Sequence, residues 1–369
     1  MSPAISKTVY LIMIIAIGYL MRKKFSTKDH KDGIKTIILS LALPATIFIA
    51  LLKIEFSIEM ILVPLLAIAF NLILFFLIDK LPLHSILNIP EKQHRALSLL
   101  IPSLAPGLSC FPFIAEYSGE GSLALAALGD VGNKLFVLVI AYMIAMRWYF
   151  NVNNIANTSK RSKVKDLLRA LVEEPVNLVI ITAIIMLAMG INFSSLPVFA
   201  QMSIDKISLI MTPLVLLFIG ISMKLTMEQV RTIFTFLFLR SGLAFLISGI
   251  LLLILPVKDL ATTLLIVVFP QSACSFWPYA HMAAISKLER KTSEHDRTFD
   301  LDFAMNILAC SLPFSVILIL TVYSSGEFFT SPVSNIGAGI FSLLLGTLPI
   351  MLSIKKSSRE RLSFTSKIE

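Results

Sequence analysis

The chain is organised as a succession of apolar stretches, each close to the roughly 20 residues an α-helix needs to cross a hydrocarbon layer. Eleven such segments can be read, at 3–21, 34–52, 60–78, 95–116, 121–146, 175–193, 206–223, 231–255, 260–285, 300–323 and 335–354. A chain of 369 residues with 56% hydrophobic and only 15% charged residues cannot hide so much apolar surface inside water-soluble domains, whose charged fraction is about 25%. The solvent is therefore a bilayer, where only helices and closed barrels satisfy their own backbone. No segment alternates polar and apolar residues as an outer-membrane strand does, so the expected class is an all-α polytopic membrane protein. The first segment has no basic stretch ahead of it and no small-residue cleavage site. It is expected to remain in the mature chain rather than serve as a secretory signal.

The net charge of +9 invites an acidic partner such as nucleic acid, but its distribution answers differently. Of the 32 Lys and Arg residues, 25 fall in alternate connections: Arg22 to Lys31, Lys80 to Arg95, Arg147 to Arg169, Lys224 to Arg231, Lys287 to Arg297 and Lys355 to Lys367. The opposite connections hold only Lys7, Lys53, Lys206 and Lys258, and Lys35, Lys134 and Arg240 lie inside segments. By the positive-inside rule the N-terminus is expected outside, the tail in the cytoplasm and the number of spans odd. The basic excess is a topology signal, with no nucleic-acid role, and it would also attract anionic lipid headgroups.

An internal repeat is visible. Leu11-Ile-Met-Ile-Ile-Ala-Ile-Gly18 is echoed by Ala183-Ile-Ile-Met-Leu-Ala-Met-Gly190, Leu43-Pro44-Ala-Thr-Ile-Phe48 by Thr212-Pro213-Leu-Val-Leu-Leu-Phe218, and Phe111-Pro112-Phe113 by Trp277-Pro278-Tyr279. The near-constant separations pair segments one to five with six to ten. A five-span repeat enters the membrane from opposite sides in its two copies, the inverted-repeat plan of secondary transporters. The expected divisions are 1–146 and 175–323 for the two repeats, 147–174 for a cytoplasmic linker with a short interfacial helix at 164–172, 335–354 for an extra helix and 355–369 for a tail.

Within each half the fourth span is the unusual one. Segment four contains Ile101-Pro-Ser-Leu-Ala-Pro-Gly-Leu-Ser-Cys-Phe-Pro112, and segment nine contains Phe269-Pro-Gln-Ser-Ala-Cys-Ser-Phe-Trp-Pro278. Proline removes a backbone donor and clashes with the preceding turn, so both helices should break. Backbone groups freed at membrane depth are tolerated only where they are buried in protein or line a cavity. Pro106 and Pro270 each lie roughly 15 Å into their segments at 1.5 Å per residue, near the midplane. Half-helix N-termini crossing there would hold an anion. The expected substrate contacts on the two breaks are Pro106, Gly107, Ser109, Pro270, Gln271 and Ser272.

Charges inside the segments extend this list, because such charges are costly and usually functional. Asp130 and Lys134 stand four residues apart on one helix face, beside Asn133. Lys134 either balances Asp130 until a substrate carboxylate arrives, or forms a permanent structural bridge with it; Asp130 is the candidate for proton coupling. Arg240 has no acid on its own helix face. It is read as a bidentate carboxylate anchor, as a partner of Asp130 or as a cap on a broken helix. Asp302 and Asn306 occupy the positions in segment ten that match Asp130 and Asn133, and are further ion-coupling candidates. His281 is read as a proton carrier or an interfacial polar contact, and Trp277 and Tyr279 as aromatic stacking or packing residues.

Cys110, Cys274 and Cys310 all lie in segments and give no disulfide framework. No metal-ligand spacing, phosphate-binding loop, serine-hydrolase elbow or HExxH motif is present, so neither an enzyme nor a bound cofactor is expected.

Several stretches together resemble the auxin efflux carrier family of secondary transporters, within the superfamily of bile-acid/sodium symporter-like carriers. They are Gly18-Tyr-Leu-Met-Arg-Lys, Leu41-Ala-Leu-Pro-Ala-Thr-Ile-Phe48, Gly107-Leu-Ser-Cys-Phe-Pro112 with Gly119-Glu-Gly-Ser-Leu-Ala, Glu174-Pro175, Pro213-Leu-Val-Leu-Leu-Phe-Ile-Gly220, Phe269-Pro270-Gln-Ser-Ala and Ser311-Leu-Pro313. The resemblance covers segments one to ten. It implies a scaffold and a transport bundle, with helices four and nine crossing at their prolines, that moves small organic anions by an elevator-like shift. Three departures stand out: Ala105 where the family usually has Asn, Gln271, Ser272 and Cys274 after the ninth-helix proline, and the extra eleventh segment.

The expectation is thus a bacterial inner-membrane carrier of a small organic anion such as a carboxylate, driven by H⁺ or Na⁺ or uncoupled, with a homodimer expected by analogy. A bile-acid-symporter-like carrier, a cation/proton exchanger and a non-transporting membrane sensor are the alternatives.

Overall fold

The computed structural model describes residues 3–25, 27–53, 62–80, 89–153, 175–222, 230–255, 257, 259–289 and 297–365. Among them there are helices and no strand. Seven helices are long and apolar enough to cross a membrane: Asp29–Leu52, Leu62–Lys80, Gly119–Val152, Val198–Ile221, Arg231–Ile254, Leu260–Ser286 and Leu301–Ser324.

The eleven expected segments exceed this number for local reasons. Over the described residues, segments one, six and eleven contain the shorter apolar helices Val9–Met21, Leu178–Ala188 and Pro332–Leu348. In segment six the helix stops because Gly190 takes a φ of 75°. The Ile191 amide then donates to the Met186 carbonyl and the Gly190 amide to that of Leu187, a Schellman cap. Segment four is divided into Glu91–Leu100, Pro106–Ser109 and Phe111–Tyr117. In segment eleven a single helix, Pro332–Thr365, runs on through most of the expected separate tail. The proposed interfacial helix at 164–172 lies outside the described residues.

The helices sort into two sets. Segments one, two, six and seven pack on one another, and segments three, four, five, eight, nine and ten form the other set. Backbones approach closely where glycine allows it. A Cβ on Gly18 would come within 2.3 Å of the Leu217 carbonyl oxygen, and one on Gly220 within 2.1 Å of the Ile15 carbonyl oxygen, which seats segment one against seven. In the second set, a Cβ on Gly132 would reach 2.0 Å from the Pro64 carbonyl oxygen, so segment five lies directly on segment three. Segment eleven runs along segment eight through Gly242, Gly249, Gly339 and Gly346. The Ser342 hydroxyl donates to the Phe238 carbonyl across that seam at 2.9 Å.

The second set is tied at one end by a buried polar knot. Glu289 accepts from the amide and hydroxyl of Thr298 and from the Asn153 side chain at 3.0 Å, while the Arg95 Nε donates to the Thr298 carbonyl at 2.9 Å. These bonds join the ends of segments four, five, nine and ten. Long apolar side chains such as Leu20, Phe199, Leu253 and Phe341 face outward, as a hydrocarbon solvent requires.

Candidate functional site

The two interrupted segments meet at their breaks. Helix Leu260–Val268 tightens into a 3₁₀ turn at Phe269–Gln271, and the chain then runs extended to Ser275, which caps helix Phe276–Leu288. Opposite it, Ile101 to Ala105 is irregular before the single turn Pro106–Ser109. The Ala105 amide donates to the Ala273 carbonyl at 2.7 Å.

Serine hydroxyls wire the rest of this crossing. The Ala273 amide donates to the Ser109 hydroxyl at 2.9 Å, and that hydroxyl donates to the Ala105 carbonyl at 2.8 Å. The Cys274 amide donates to Ser311, whose proton goes to the Leu308 carbonyl. The Ser275 amide donates to Ser103, whose proton goes to the Leu100 carbonyl. Three consecutive amides of the extended stretch therefore each end on a hydroxyl that passes the bond to a backbone carbonyl of another segment. This is the accounting that buried backbone demands. It also means that the amides at 273–275 are already committed to protein partners rather than pooled for an anion.

Four carbonyls of the segment-nine break are committed as well. Ser272 donates to the Phe269 carbonyl, and the Cys110 thiol lies 3.7 Å from that of Val268. The Arg240 guanidinium donates to the carbonyls of Ser272 and Pro270. Arg240 is 1% exposed, and among the described residues no carboxylate forms an ion pair with it. Of the three readings of this residue, the geometry matches the cap on a broken helix.

The segment-four break is held differently. Asn133 donates to the Leu104 carbonyl at 2.8 Å and accepts from the Leu104 amide at 3.1 Å, so one side-chain amide pairs with both backbone groups of a single residue. It also donates to Asp130 at 2.9 Å and accepts from Asn71 at 3.0 Å. The second oxygen of Asp130 lies 3.3 Å from the Lys134 ammonium.

A cavity of about 400 Å³ opens on this side. Its charged lining is Lys35, Asp130 and Lys134, with Asn133 beside them. Pro106, Gly107 and residues 273–277 form its back, and Leu39, Leu43, Leu312 and Trp277 contribute apolar wall. Two π-helical turns, Ile38–Ala42 and Phe136–Ile140, border it through Leu39 and Val137. Such turns concentrate at functional sites. His281 meets the second one, its Nε2 lying 2.9 Å from the Val137 carbonyl, and is thus a buried polar contact in this arrangement. A second, apolar cavity of about 310 Å³ has Gly129, Phe269 and Pro270 in its wall.

Of the residues singled out from sequence, the structure brings Pro106, Gly107, Asp130, Asn133 and Lys134 to the first cavity. Pro270 borders the second cavity. Ser109, Gln271, Ser272 and Arg240 are buried in the wiring of the crossing. Asp302 is exposed in the first turn of its helix, with Asn306 one turn further on.

Four contributors were missed. Lys35, half-buried on segment two, lines the first cavity and stands 4.2 Å from the Phe276 ring centroid. Its signal was present, since it is one of three cations inside a segment, but its place near a segment start reads as interfacial. Asn71 is the lone amide in an apolar helix. Ser103 and Ser311 lie within stretches that carried the proline signature, and nothing in their local sequence states which amide they receive.

Outside the apolar run, Asp259 caps the helix that leads into the segment-nine break. It accepts from the Thr262 amide and hydroxyl, each at 2.8 Å. These bonds, the amide first, hold its carboxyl below the ordinary carboxylate range. Among the described residues, no group of three or more His, Cys, Asp or Glu side chains is placed to hold a metal ion. Compared with protein-family models and with curated proteins, the chain finds no match.

Proposed function

We propose that the protein is a secondary carrier of a small organic anion, a carboxylate, across a bacterial inner membrane, with the N-terminus outside and the C-terminus in the cytoplasm. The observation that carries the reading is the cavity at the crossing. It is a space of ligand size backed by two helix breaks and lined by two lysines against one aspartate. A carboxylate entering it meets Lys35 directly and competes with Asp130 for Lys134, whose ammonium is compact and able to change partner.

The packing supports an inverted repeat. Segment one lies against seven and segment two against six, contacts that exchange when the halves are swapped. Segment four on ten and nine on five exchange in the same way. In this reading segments one, two, six and seven are the scaffold, the second set is the moving bundle, and Lys35 is the scaffold's contribution to the site. A dimer through the scaffold would keep it fixed while the bundle shifts. The resemblance to auxin efflux carriers points to the same mechanism, and no reacting or catalytic group is needed for it.

The test is uptake of labelled malonate, malate and indole-acetate into proteoliposomes under imposed pH and Na⁺ gradients, comparing the wild type with Lys134→Ala. Saturable flux that the variant loses supports the site. If neither protein moves any carboxylate under any gradient, the anion assignment fails, and a cation/proton exchanger or a ligand-binding sensor takes its place.

A further inference from the structure

A broken helix that ends at membrane depth leaves a cluster of carbonyl oxygens, and its C-terminal end carries roughly half a negative charge. Oxygen clusters of this kind are where a carrier holds a coupling cation. In segment nine this end falls at residues 268–272. Four of its five oxygens are taken up: Val268 by the Cys110 thiol, Phe269 by Ser272, Pro270 and Ser272 by Arg240. The next oxygen, that of Ala273, is taken by the Ala105 amide.

We propose that the Arg240 guanidinium is a built-in cation of the crossing, occupying the position where a coupling metal ion would otherwise bind. This deepens the carrier reading and rests on it only for what it says about coupling.

A second observation points to the same place. The Gln271 Oε1, the Ser241 hydroxyl and the Arg240 Nε are buried without hydrogen-bond partners. Gln271 and Ser241 are joined through the Gln271 Nε2 and the Ser241 carbonyl at 3.1 Å. Removing the guanidinium would therefore leave the Pro270 and Ser272 carbonyls without it, with the buried oxygens of Gln271 and Ser241 on the same two stretches of chain, and oxygen donors suit a small hard cation or free guanidinium.

Arginine keeps its proton at any accessible pH, so this cation is permanent and cannot exchange with the bulk. The native crossing then has no vacancy for Na⁺, and turnover needs none at this position. Coupling to H⁺ through Asp130 or uncoupled passage remains open to the carrier. Segment eleven contributes to holding the device. Gly339 and Gly346 press on Gly242 and Leu239, the neighbours of Arg240 along segment eight, which fixes the rotation that aims the guanidinium at the break.

The experiment is a thermal melt of the purified full chain in detergent at constant ionic strength, in choline, Na⁺ or guanidinium chloride, for wild type, Arg240→Ala and Arg240→Lys. The wild-type midpoint should be the same in choline and Na⁺. Arg240→Ala should melt lower and recover saturably with low concentrations of guanidinium or Na⁺, and Arg240→Lys should stay close to wild type and indifferent to Na⁺. Saturable stabilisation of the wild type by Na⁺ overturns the proposal, as does an Arg240→Ala protein that responds to neither cation. Should Arg240→Ala fail to fold, the wild-type and Arg240→Lys titrations with Na⁺ decide it alone.

The melts need no transported substrate. Cation rescue of Arg240→Ala without flux of any carboxylate would remove the carrier reading and keep the built-in cation. Flux of a carboxylate with a Na⁺-stabilised wild type would do the reverse. Where flux is measurable, Arg240→Ala should lose about tenfold or more and regain it with guanidinium inside the vesicle assay.

Discussion

The break in segment four is held by a neutral amide, Asn133, that also touches the ion pair of the cavity, whereas the break in segment nine, which backs the same cavity, is held by a guanidinium and serine hydroxyls. Both arise from the same sequence signature of prolines among small polar residues. The difference teaches that a freed backbone group has two fates in an apolar interior. It can be satisfied by fixed protein groups, which makes the break a structural joint, or it can be satisfied beside an ion pair that has an alternative partner, which makes it a site. Lys134 is the group with the alternative, since its bond to Asp130 at 3.3 Å borders open volume. Arg240 has none, since it is enclosed by the carbonyls it serves.

The largest effect should come from replacing the clamp of the open break. Asn133→Leu strands the amide and carbonyl of Leu104, one oxygen of Asp130 and the Asn71 amide. At about 1–3 kcal/mol for each buried group left unpaired, the variant should lose at least about 4 kcal/mol and fail to run as a monodisperse peak in size-exclusion chromatography. Gln271→Leu in the segment-nine break loses a single bond to the Ser241 carbonyl and should cost about 1 kcal/mol. Equal melting points for the two would erase the asymmetry between the two breaks.

Next is the ion pair. Asp130→Asn leaves the Lys134 ammonium buried without its countercharge, which costs about 3–5 kcal/mol for a buried pair. The double variant Asp130→Asn, Lys134→Met should recover much of that stability while remaining inactive in uptake. Recovery of stability and flux together would show that the pair is only structural.

The relay serines come third. Ser109→Ala, Ser103→Ala and Ser311→Ala each strand one amide of the stretch 273–275. Each should lower stability by about 1–3 kcal/mol, read as a melting shift in detergent. The loss should be the same with or without a candidate substrate, because each of the three amides is committed to its hydroxyl and is not offered to a ligand.

Much of this was written in the chain. Segment length and hydropathy are local properties, so many ends of the apolar helices could be placed to within a few residues, although the helix of segment seven begins at Val198 rather than at 206 and that of segment eleven runs on to Thr365; the broken segments followed from Pro106, Pro112, Pro270 and Pro278. Asp130 and Lys134 were readable because a four-residue spacing on a helix is a contact by construction. The wiring was not readable in the same way. Ser103 reaches Ser275 across 172 residues and Arg240 reaches Ser272 across 32, and no local pattern selects these pairs. The same holds for Lys35, whose position near a segment start hides that its helix borders the cavity. Nor does a count of prolines say which of two similar breaks will be held by a charge, because that depends on a cation supplied by segment eight.

Lys35 gives the fourth test, and it separates site from scaffold. It is half-buried and makes a cation–π contact with Phe276 at 4.2 Å, so Lys35→Met should leave the melting point within about 0.5 kcal/mol of wild type, as surface changes do. Uptake should weaken through KM by about tenfold, the loss expected for one exposed-side charge contact worth about 1.4 kcal/mol. A change confined to the maximal rate would assign Lys35 to the motion of the bundle and not to the anion.

The smallest effect concerns how the two broken segments begin. The helix leading into the segment-nine break is capped by Asp259, whereas the helix leading into segment four starts after Pro90 with no side-chain cap. Asp259 is solvent-exposed, and its carboxyl is held below the ordinary range chiefly by the Thr262 amide. A group whose folded pKa is depressed stabilises the fold above its unfolded pKa and stops doing so as pH falls through the folded value. Asp259→Ala should therefore cost about 1 kcal/mol at neutral pH, the usual worth of an N-cap. The gap between variant and wild type should shrink as the pH is lowered through and below the ordinary carboxylate range. Melts of both proteins from pH 7 downward would trace it. A gap that stayed constant with pH would mean that the residue acts through its shape in the turn, and that the segment-nine break owes nothing to charge at its entrance.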